Sequence, residues 1–363
     1  MPDSASFPCL ACGASLAFEP GTTRLSCGYC GGETPIPRSE DEVVELDFAA
    51  ALRDPKSAER IENFECFECP GCGAQLEQTS DLTASACCYC DTPFVDERRH
   101  AQRVKPGALL PFKIDREQAR KAYEHWLSKL WFAPRELALR AQRIEGLQGV
   151  YLPYWSYQSH TTTYYTGLRG EDYFVDKTVR VQDKGRWVTK TERVRKTRWY
   201  PTAGVVGKRF EDLLILASKG LPRNQAAALE PWDLGALVPY QRGFLFGFRS
   251  ERYQLGLEEG FECAKELMRP AIGRAIARDI GGDRQRVLTQ RTSYRDITFK
   301  HLLLPLWITA FRYRERVYRV LVNARTGAVK GERPWSWVKI GAACALLIAV
   351  LALVIWLRET GRI

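Results

Sequence analysis

The chain has 363 residues, 45% of them apolar, and is therefore long enough for two or three domains with a sizeable core. Its net charge of +10 is the sum of two unlike parts, because residues 1–100 carry 7 Lys/Arg against 18 Asp/Glu whereas the remainder carries 46 against 25. This asymmetry bears on the partners of the two parts and not on their fold.

The cysteines are concentrated near the N-terminus, where ten of the twelve lie within the first 90 residues. A secreted disulfide framework is disfavoured, because the chain opens with neither the basic nor the apolar region of a secretory leader. In a reducing compartment, clustered cysteines are more often metal ligands than disulfides.

An internal repeat with an offset of sixty residues organises these cysteines. Both copies have the pattern C-x2-C-x14-C-x2-C, in which two tight turns can present four thiolates to one tetrahedral metal ion. Gly13 and Gly73 follow the second cysteine of each copy, where a positive φ is often needed. Because four protein ligands leave no open position, the sequence predicts two structural Zn2+ sites in two zinc ribbons. The predicted ligands are Cys9, Cys12, Cys27 and Cys30 in the first copy and Cys69, Cys72, Cys87 and Cys90 in the second.

Alternatives to this ligand set stay open at the level of the sequence. Iron could replace zinc, and disulfides or a redox-active C-x-x-C pair are a less favoured interpretation. Cys66 and Cys88 lie outside the repeat register, and Cys66 could compete with Cys72 for pairing with Cys69.

An acidic linker that is helical or extended is predicted between the two copies. Beyond them, residues 115–146 have a helical pattern, with Asp115 as an N-cap and Pro134 at the start of a second helix. After Gly149 the chain becomes rich in Tyr, Trp and Thr, which predicts strands, and residues 183–185 are typical of a hairpin turn.

Two pairs of Leu/Val-Pro-aromatic strings suggest that the main domain is duplicated. Ala108–Phe112 precedes a helix and Leu152–Trp155 opens a set of strands; Ala236–Tyr240 precedes a helix over 256–279 and Leu304–Trp307 opens another set. Chance similarity of short strings is the alternative. We therefore predict an α+β fold with two four-cysteine ribbons, a duplicated helix-plus-antiparallel-sheet domain and one C-terminal transmembrane helix.

The C-terminal region predicts that single transmembrane helix. Residues 340–357 are eighteen consecutive residues without a charge, and at 1.5 Å per residue they span about 27 Å of a hydrocarbon core of about 30 Å. Trp335, Trp337 and Trp356 stand where interfacial aromatic residues are expected. Eight Lys/Arg against two acids in residues 312–339 place the main domain on the cytoplasmic side of a bacterial inner membrane by the positive-inside rule. The predicted organisation is a first zinc ribbon (1–37), an acidic linker (38–63), a second ribbon (64–97), a helical segment (98–147), a β-rich main domain (148–335) and the transmembrane helix (338–358).

The chain lacks the short motifs of common catalytic sites. It contains no G-x-x-x-x-G-K-[ST], H-E-x-x-H or G-x-S-x-G pattern. Its four histidines, at positions 100, 125, 160 and 301, are scattered through different predicted elements. An enzyme is therefore not expected.

Several longer stretches carry a resemblance to a known family. They are Leu110–Phe112, Gly149–Trp155, Tyr165–Gly167, Arg198–Pro201, Phe210–Leu213, Ala217–Lys219, Leu303–Trp307 and Tyr318–Gly331. On these stretches and the two ribbons, the chain resembles a bacterial family of membrane proteins with TFIIB-type zinc ribbons. Such proteins are often labelled, by automatic transfer, as primosomal protein N-prime (replication factor Y), superfamily II helicase. This sequence does not support a helicase function, because it has no ATP motor motif. The resemblance implies a membrane location and an association with membrane-stress systems built from phage-shock-protein-A-like or flotillin-like (SPFH) proteins.

Two functions from different classes fit these features. The first is a membrane-anchored adaptor whose acidic ribbons recruit a soluble protein while the basic domain lies near membrane lipid. The second is a nucleic-acid-binding protein of replication or transcription at the membrane. Ribbons that bind nucleic acid are expected to carry Lys/Arg, so the acidic N-terminal part favours the adaptor and disfavours nucleic acid as a partner.

The basic excess is densest in residues 176–198, where nine Lys/Arg stand against three acids on the predicted hairpin. Near an anionic leaflet each such charge contributes about 1 kcal/mol, which suggests that the hairpin contacts lipid and turns the ribbons away from the membrane. The alternative is a solvated charged edge that discourages pairing between sheets.

Overall fold

The fold is given by a computed structural model, which contains seventeen strands and five α-helices among the residues that it describes. The predicted α+β class is therefore confirmed. The described residues are 8–37, 39–54, 61–77, 84–95, 99–132, 134, 146–183, 186–313, 316–333 and 335–360.

The strands range from two residues to thirty-six, and the helices from five to twenty-four. The strands are β1 (Leu16–Phe18), β2 (Arg24–Cys27), β3 (Glu33–Pro35), β4 (Leu46–Asp47), β5 (Ile61–Glu68), β6 (Gln75–Glu77), β7 (Ala84–Ala86), β8 (Pro93–Val95), β9 (Arg99–Val104), β10 (Ala108–Leu109), β11 (Gln148–Asp183), β12 (Arg186–Leu216), β13 (Val238–Pro239), β14 (Arg249–Glu251), β15 (Arg284–Tyr313), β16 (Arg316–Asn323) and β17 (Val329–Gly331). The helices are α1 (Phe48–Arg53), α2 (Arg116–Ser128), α3 (Arg223–Ala227), α4 (Leu257–Ile280) and α5 (Trp337–Glu359).

Three very long antiparallel strands form an arm that extends beyond the rest of the sheet. β11 is the middle strand, with β12 on one side and β15 on the other. We call residues 159–183, 186–210 and 284–297 the arm; at about 3.3 Å per residue its β11 part is roughly 80 Å long. The arm has three strands up to the pair Gly170 and Arg284, and two strands from there to Asp183. The predicted hairpin is thus confirmed, although residues 184 and 185 of its turn lie outside the described residues.

Helix α4 covers one face of the three-stranded part of the arm. Ile272, Ile276 and Ile280 are buried at helical spacing and belong to one apolar cluster with Tyr165 and residues from the base of the arm. The Tyr165 hydroxyl also donates a hydrogen bond to the carboxylate of Asp279 in α4. The helix predicted over 256–279 is therefore confirmed, and its packing explains why such long strands stay in one layer.

The base of the sheet, below the arm, has two buried faces. Alternate residues along one strand face opposite sides, so Tyr151 and Leu303 join one apolar cluster while Leu152 and Leu304 join the other. The first cluster includes side chains of the first ribbon and of α2, and the second includes side chains of the second ribbon and of α3. The two ribbons therefore cover opposite faces of one sheet.

The ribbons are attached in different ways. The first ribbon is a separate three-stranded sheet of β1, β2 and β3, joined to the base by Phe18 N–H donating to the Phe246 carbonyl at 2.9 Å. The second ribbon continues the main sheet, because its β6 pairs with β14, which in turn pairs with β11. The second ribbon is thus part of the hydrogen-bonded sheet, whereas the first is packed upon it.

Residues 39–54 of the acidic linker lie across the base of the arm, whereas its residues 61–63 begin β5. β4 pairs with β15, and Phe48 of α1 is buried against Tyr157 and Phe261. Lys300, on β15, donates to Glu45 of the linker at 3.0 Å and to Asp212 at 2.9 Å. The linker is therefore a docked segment that ties the N-terminal part to the main domain.

The last helix starts at the end of the sheet that is opposite to the arm. β15 runs from the arm towards the base, β16 returns, and β17 runs in the direction of β15 again before α5 begins. Helix α2, which packs on β16 and β17, begins at Asp115 with the predicted N-cap and a capping box that includes Gln118. The second helix predicted from Pro134 falls mostly outside the described residues.

Two short strands of the main domain, β10 and β14, pair with its long strands in equivalent ways. β10, which precedes α2, lies parallel to β15, and β14, which precedes α4, lies parallel to β11. Leu152 of β11 stands directly opposite Leu304 of β15, so the two Leu-Pro strings are centred on each other. The string Ala236–Tyr240 contains β13, which pairs antiparallel with β10; the strand that corresponds to β10 in position is β14.

Candidate metal centres

The four cysteines predicted as ligands in the first ribbon converge on one point. The Sγ atoms of Cys9 and Cys30 are 3.5 Å apart, as are those of Cys12 and Cys27, and all four lie within 4.8 Å of one another. A tetrahedral site with Zn–S distances of about 2.3 Å has sulfur atoms about 3.8 Å apart. This group can therefore hold a zinc ion with little adjustment.

The second ribbon brings its four predicted ligands together in the same way. The Sγ atoms of Cys69 and Cys90 are 3.5 Å apart and those of Cys72 and Cys87 are 3.6 Å apart, again with all four within 4.8 Å. Four thiolates in a tetrahedral set suit zinc or iron, and zinc stays the prediction. Two four-cysteine groups that could hold metal ions are thus present.

The two spare cysteines of the second ribbon stand outside its ligand group. Cys66 lies on β5, paired with Glu77 and Arg99, and is not one of the four converging sulfur atoms. Cys88 is fully buried, and burial raises the pKa of its thiol well above the usual value. The geometry therefore favours Cys72, and not Cys66, as the partner of Cys69 in the second site.

All four pairs of ligands lie in the same kind of tight turn. In each turn the residue after the second cysteine donates its N–H to the carbonyl of the first cysteine at 2.8–2.9 Å. That residue has positive φ in every case: Gly13 (74°), Gly31 (72°), Gly73 (72°) and Asp91 (57°). The positive φ predicted at Gly13 and Gly73 is confirmed, and the structure adds two positions that share this role.

Each ribbon contains thiols whose pKa is raised and thiols whose pKa is lowered. In the first, the backbone N–H groups of Cys30 and Tyr29 lower the pKa of Cys27 to about 6. In the second, burial raises the pKa of Cys69 to about 11. Because a bound metal ion takes its ligands as thiolates, metal binding is expected to release protons from both sites.

The two centres differ in exposure. Cys12 and Cys30 of the first centre are exposed, whereas its other two cysteines are buried. In the second centre, three cysteines are buried and only Cys72 is partly exposed. A metal ion in the first ribbon would thus be open to solvent on one side, and one in the second ribbon would be enclosed.

The second centre is fixed to the main sheet through Tyr89, which lies in the turn between its last two ligands. The Tyr89 hydroxyl donates to Oε2 of the buried Glu251 at 2.7 Å, and Ser218 Oγ donates to Oε1 at 2.6 Å. Arg319 Nε donates to the Tyr89 carbonyl. Burial raises the pKa of Glu251 to about 7. Sequence reasoning missed this group, because a single glutamate in a three-residue strand gives no signal.

The corresponding turn of the first ribbon is exposed. Tyr29 occupies the position of Tyr89 in the sixty-residue repeat, yet it is 84% exposed whereas Tyr89 is fully buried. Leu10, in the facing turn, is 95% exposed. We call these two residues the Leu10–Tyr29 knuckle. Identical tyrosines thus have opposite environments in the two ribbons.

The last helix, α5, is long and apolar enough to cross a membrane. Its most apolar 18-residue window has a mean hydropathy of 2.8, and none of that window is buried by the rest of the protein. Within the described residues it is the one helix with these properties, and it contains the predicted span 338–358.

Comparisons with known proteins give one relative. No family model matches the chain, and no solved structure matches it. It is similar to the uncharacterized protein YdjG of Bacillus subtilis (strain 168), with 26% identity over 341 residues. The alignment covers 93% of this chain and 92% of that protein, so the likeness extends over nearly the whole length of both.

Proposed function

We propose that the protein is a membrane-anchored adaptor, in which α5 is the anchor and the Leu10–Tyr29 knuckle binds a soluble protein. The contrast between the two ribbons carries this proposal. In the second ribbon, Tyr89 is buried against the main sheet and donates to the carboxylate of Glu251. In the first, the same tyrosine lies in solvent, and Leu10 of the facing turn is exposed as well. A partner with an apolar pocket and a carboxylate acceptor would satisfy Tyr29 as the sheet satisfies Tyr89.

The charge of the first ribbon supports a protein partner over nucleic acid. Its described residues carry Glu19 and Glu33 against Arg24, and Arg24 is paired with Glu33. Four thiolates around a divalent zinc ion add a net charge of about −2. Because affinity for nucleic acid comes chiefly from Lys and Arg that neutralise phosphates, this surface is a poor candidate for that role.

The proposed location is a bacterial inner membrane, with the ribbons and the main domain in the cytoplasm. The cations that precede α5, such as Arg333 and Lys339, support this orientation. The resemblance to membrane proteins with TFIIB-type ribbons suggests phage-shock-protein-A-like or flotillin-like proteins as partners. Such a partner would dock on the first ribbon, and the second ribbon would act as a structural part of the sheet.

The basic hairpin lies far from the start of α5. This distance bears on the hypothesis that the hairpin contacts the membrane lipid. The hairpin ends the arm at Asp183, whereas α5 follows β17 at the opposite end of the sheet. One of its cations, Arg195, is also used internally, since it pairs with Asp172, which pairs with Arg284 of β15 as well. A contact between the hairpin and the leaflet that holds α5 would require the arm to lie along the bilayer. We favour an arm that projects into the cytoplasm.

We also propose that the main domain arose by duplication. The reciprocal parallel pairs of β10 with β15 and of β14 with β11 support this idea, as does the opposition of Leu152 and Leu304. The N-caps of α2 and α4, Asp115 and Gly256, follow β10 and β14 at similar short distances. Each half would then supply a short strand, a helix and a long strand.

The test is an affinity purification of the tagged full-length protein from detergent-solubilised membranes. The variant replaces both knuckle residues, Leu10→Ser with Tyr29→Ser, and the matched control replaces Tyr164, which is 60% exposed on the arm, by Ser. We expect a protein that co-purifies with the native chain and with the Tyr164→Ser control, and that is lost with the knuckle variant. The metal content of all three should be equal, because no ligand is changed.

The same proteins recovered with all three chains would contradict a role for the knuckle. Recovery that disappears after nuclease treatment would favour the nucleic-acid alternative.

A further inference from the structure

The segment that follows α2 is held against the beginning of α5. The N–H of Ser336 donates to the Phe132 carbonyl at 2.8 Å, and Lys339 Nζ donates to the Trp131 carbonyl at 3.1 Å. Trp126, near the end of α2, packs over the end of β17. Two separate parts of the chain, the end of α2 and the start of α5, therefore meet at one place.

The position of Trp131 along α5 can be deduced from these contacts. Lys339 is the last charged residue before the uncharged run that begins at Ile340. Because the ammonium group of Lys339 reaches the Trp131 carbonyl, Trp131 lies beside the first turn of α5, where the polar part of the chain meets the apolar part. In a membrane that level is the interface between headgroups and hydrocarbon.

Exposed aromatic side chains cluster at this level. Trp131 is 82% exposed, Trp335 is 50% exposed and Trp337 is 79% exposed. The guanidinium of Arg333 lies 4.2 Å from the centre of the Trp335 ring. A single exposed tryptophan is common on protein surfaces. Three exposed tryptophans beside cations at the start of an apolar helix are typical of residues that lie at the headgroup level of a membrane. Trp131 differs from the other two because it comes from another part of the chain.

We propose that Trp131 is a second contact of this protein with the membrane, in which its indole ring lies in the headgroup region of the leaflet that α5 enters. The proposal rests on α5 crossing the membrane. The ligand is the lipid surface itself, because the indole offers an apolar body and one N–H donor, which match the two sides of that interface.

This contact controls how the domain stands on the bilayer. With α5 alone in the membrane, the domain would be attached at one place, through the chain that leads into α5 and the hydrogen bonds of Ser336 and Lys339, and it could tilt about that place. Trp131 is linked to α2, which packs on β16 and β17 at the base of the sheet. A second point of contact on α2's side of the sheet therefore restricts the tilt of the sheet relative to the membrane surface.

The test uses the full-length protein in bacterial membranes with a photoreactive benzoylphenylalanine at single positions. Trp131 is the test position, Trp337 is the positive control at the start of the span, and Trp187 is the matched control near the tip of the arm, where it is 71% exposed. After irradiation, phospholipid adducts are measured by mass spectrometry of the intact protein. All three are exposed aromatic positions, so the exchange should not disturb folding.

We expect lipid adducts at positions 131 and 337 with comparable yield, and none at 187. Adducts at 337 without adducts at 131 would overturn the inference and leave the anchor intact. No adduct at 337 would overturn the proposed anchor and, with it, this inference. Equal yields at 131 and 187 would also overturn it, since Trp131 would then be no closer to lipid than the arm is.

Discussion

Replacement of the same tyrosine in the two ribbons offers a sharp test of how they are attached. Tyr89→Phe removes the hydroxyl that donates to Glu251 at 2.7 Å, in a site where both residues are almost completely buried. Leaving a buried hydrogen-bonding group without its partner costs about 1–3 kcal/mol. Tyr29→Phe removes a hydroxyl from a side chain that is 84% exposed, so a change within about 0.5 kcal/mol is expected.

The free energy of unfolding would be measured by denaturant titration of the full-length protein in detergent with zinc present, once for each variant. The phenyl ring keeps the packing of either tyrosine, so the difference between the variants isolates the hydrogen bond. An equal loss of stability in both variants, or no loss with Tyr89→Phe, would refute the assignment of Tyr89 as the attachment of the second ribbon to the sheet.

The remaining predictions concern the metal ions, the anchor, the linker and the pH dependence. Elemental analysis should give two zinc ions per chain, and a chelator with a colorimetric readout should remove one of them much faster than the other, because two ligands of the first centre are exposed. A chain truncated before Pro334 should leave the membrane fraction after a carbonate wash if α5 is the principal anchor; retention would point to a further contact as strong as α5. Lys300→Met leaves Glu45 without its ammonium partner and should cost about 1–2 kcal/mol of stability, whereas the exposed Lys190→Met on the arm should cost nothing measurable. Since burial raises the pKa of Glu251 from 4.5 to about 7, its contribution to stability is complete at low pH and declines as the pH rises through about 7. Between about pH 4.5 and 7 the native protein should therefore lose stability more steeply than Glu251→Gln, and parallel slopes would contradict this assignment.

The sequence was most informative where function depends on local spacing. The eight cysteines could be selected because two C-x-x-C turns, repeated after sixty residues, already define a tetrahedral site. The capped start of α2 at Asp115 and the hairpin after Asp183 could be predicted for the same reason, since caps and turns are decided by a few adjacent residues.

The sequence was least informative where the environment is set by distant residues. Tyr29 and Tyr89 stand in nearly the same local sequence, Cys-Gly-Tyr-Cys and Cys-Cys-Tyr-Cys, yet one is exposed and the other is buried. The difference arises from Glu251 and the strand that carries it, which are more than 150 positions along the chain from Tyr89. No periodicity or motif marks such a residue. The docking of the linker could not be predicted either, because nothing in the sequence distinguishes Glu45 from the other acidic residues around it.

The length of the arm gives it mechanical leverage. The arm is roughly 80 Å long at about 3.3 Å per residue, so a rotation of about 10° at its base would carry the hairpin through roughly 14 Å. Displacements of a few ångströms where the linker and the second ribbon meet the base of the sheet would thus become large movements at the tip. A protein bound at the tip would move through a wide arc, while one bound to the first ribbon would hardly move.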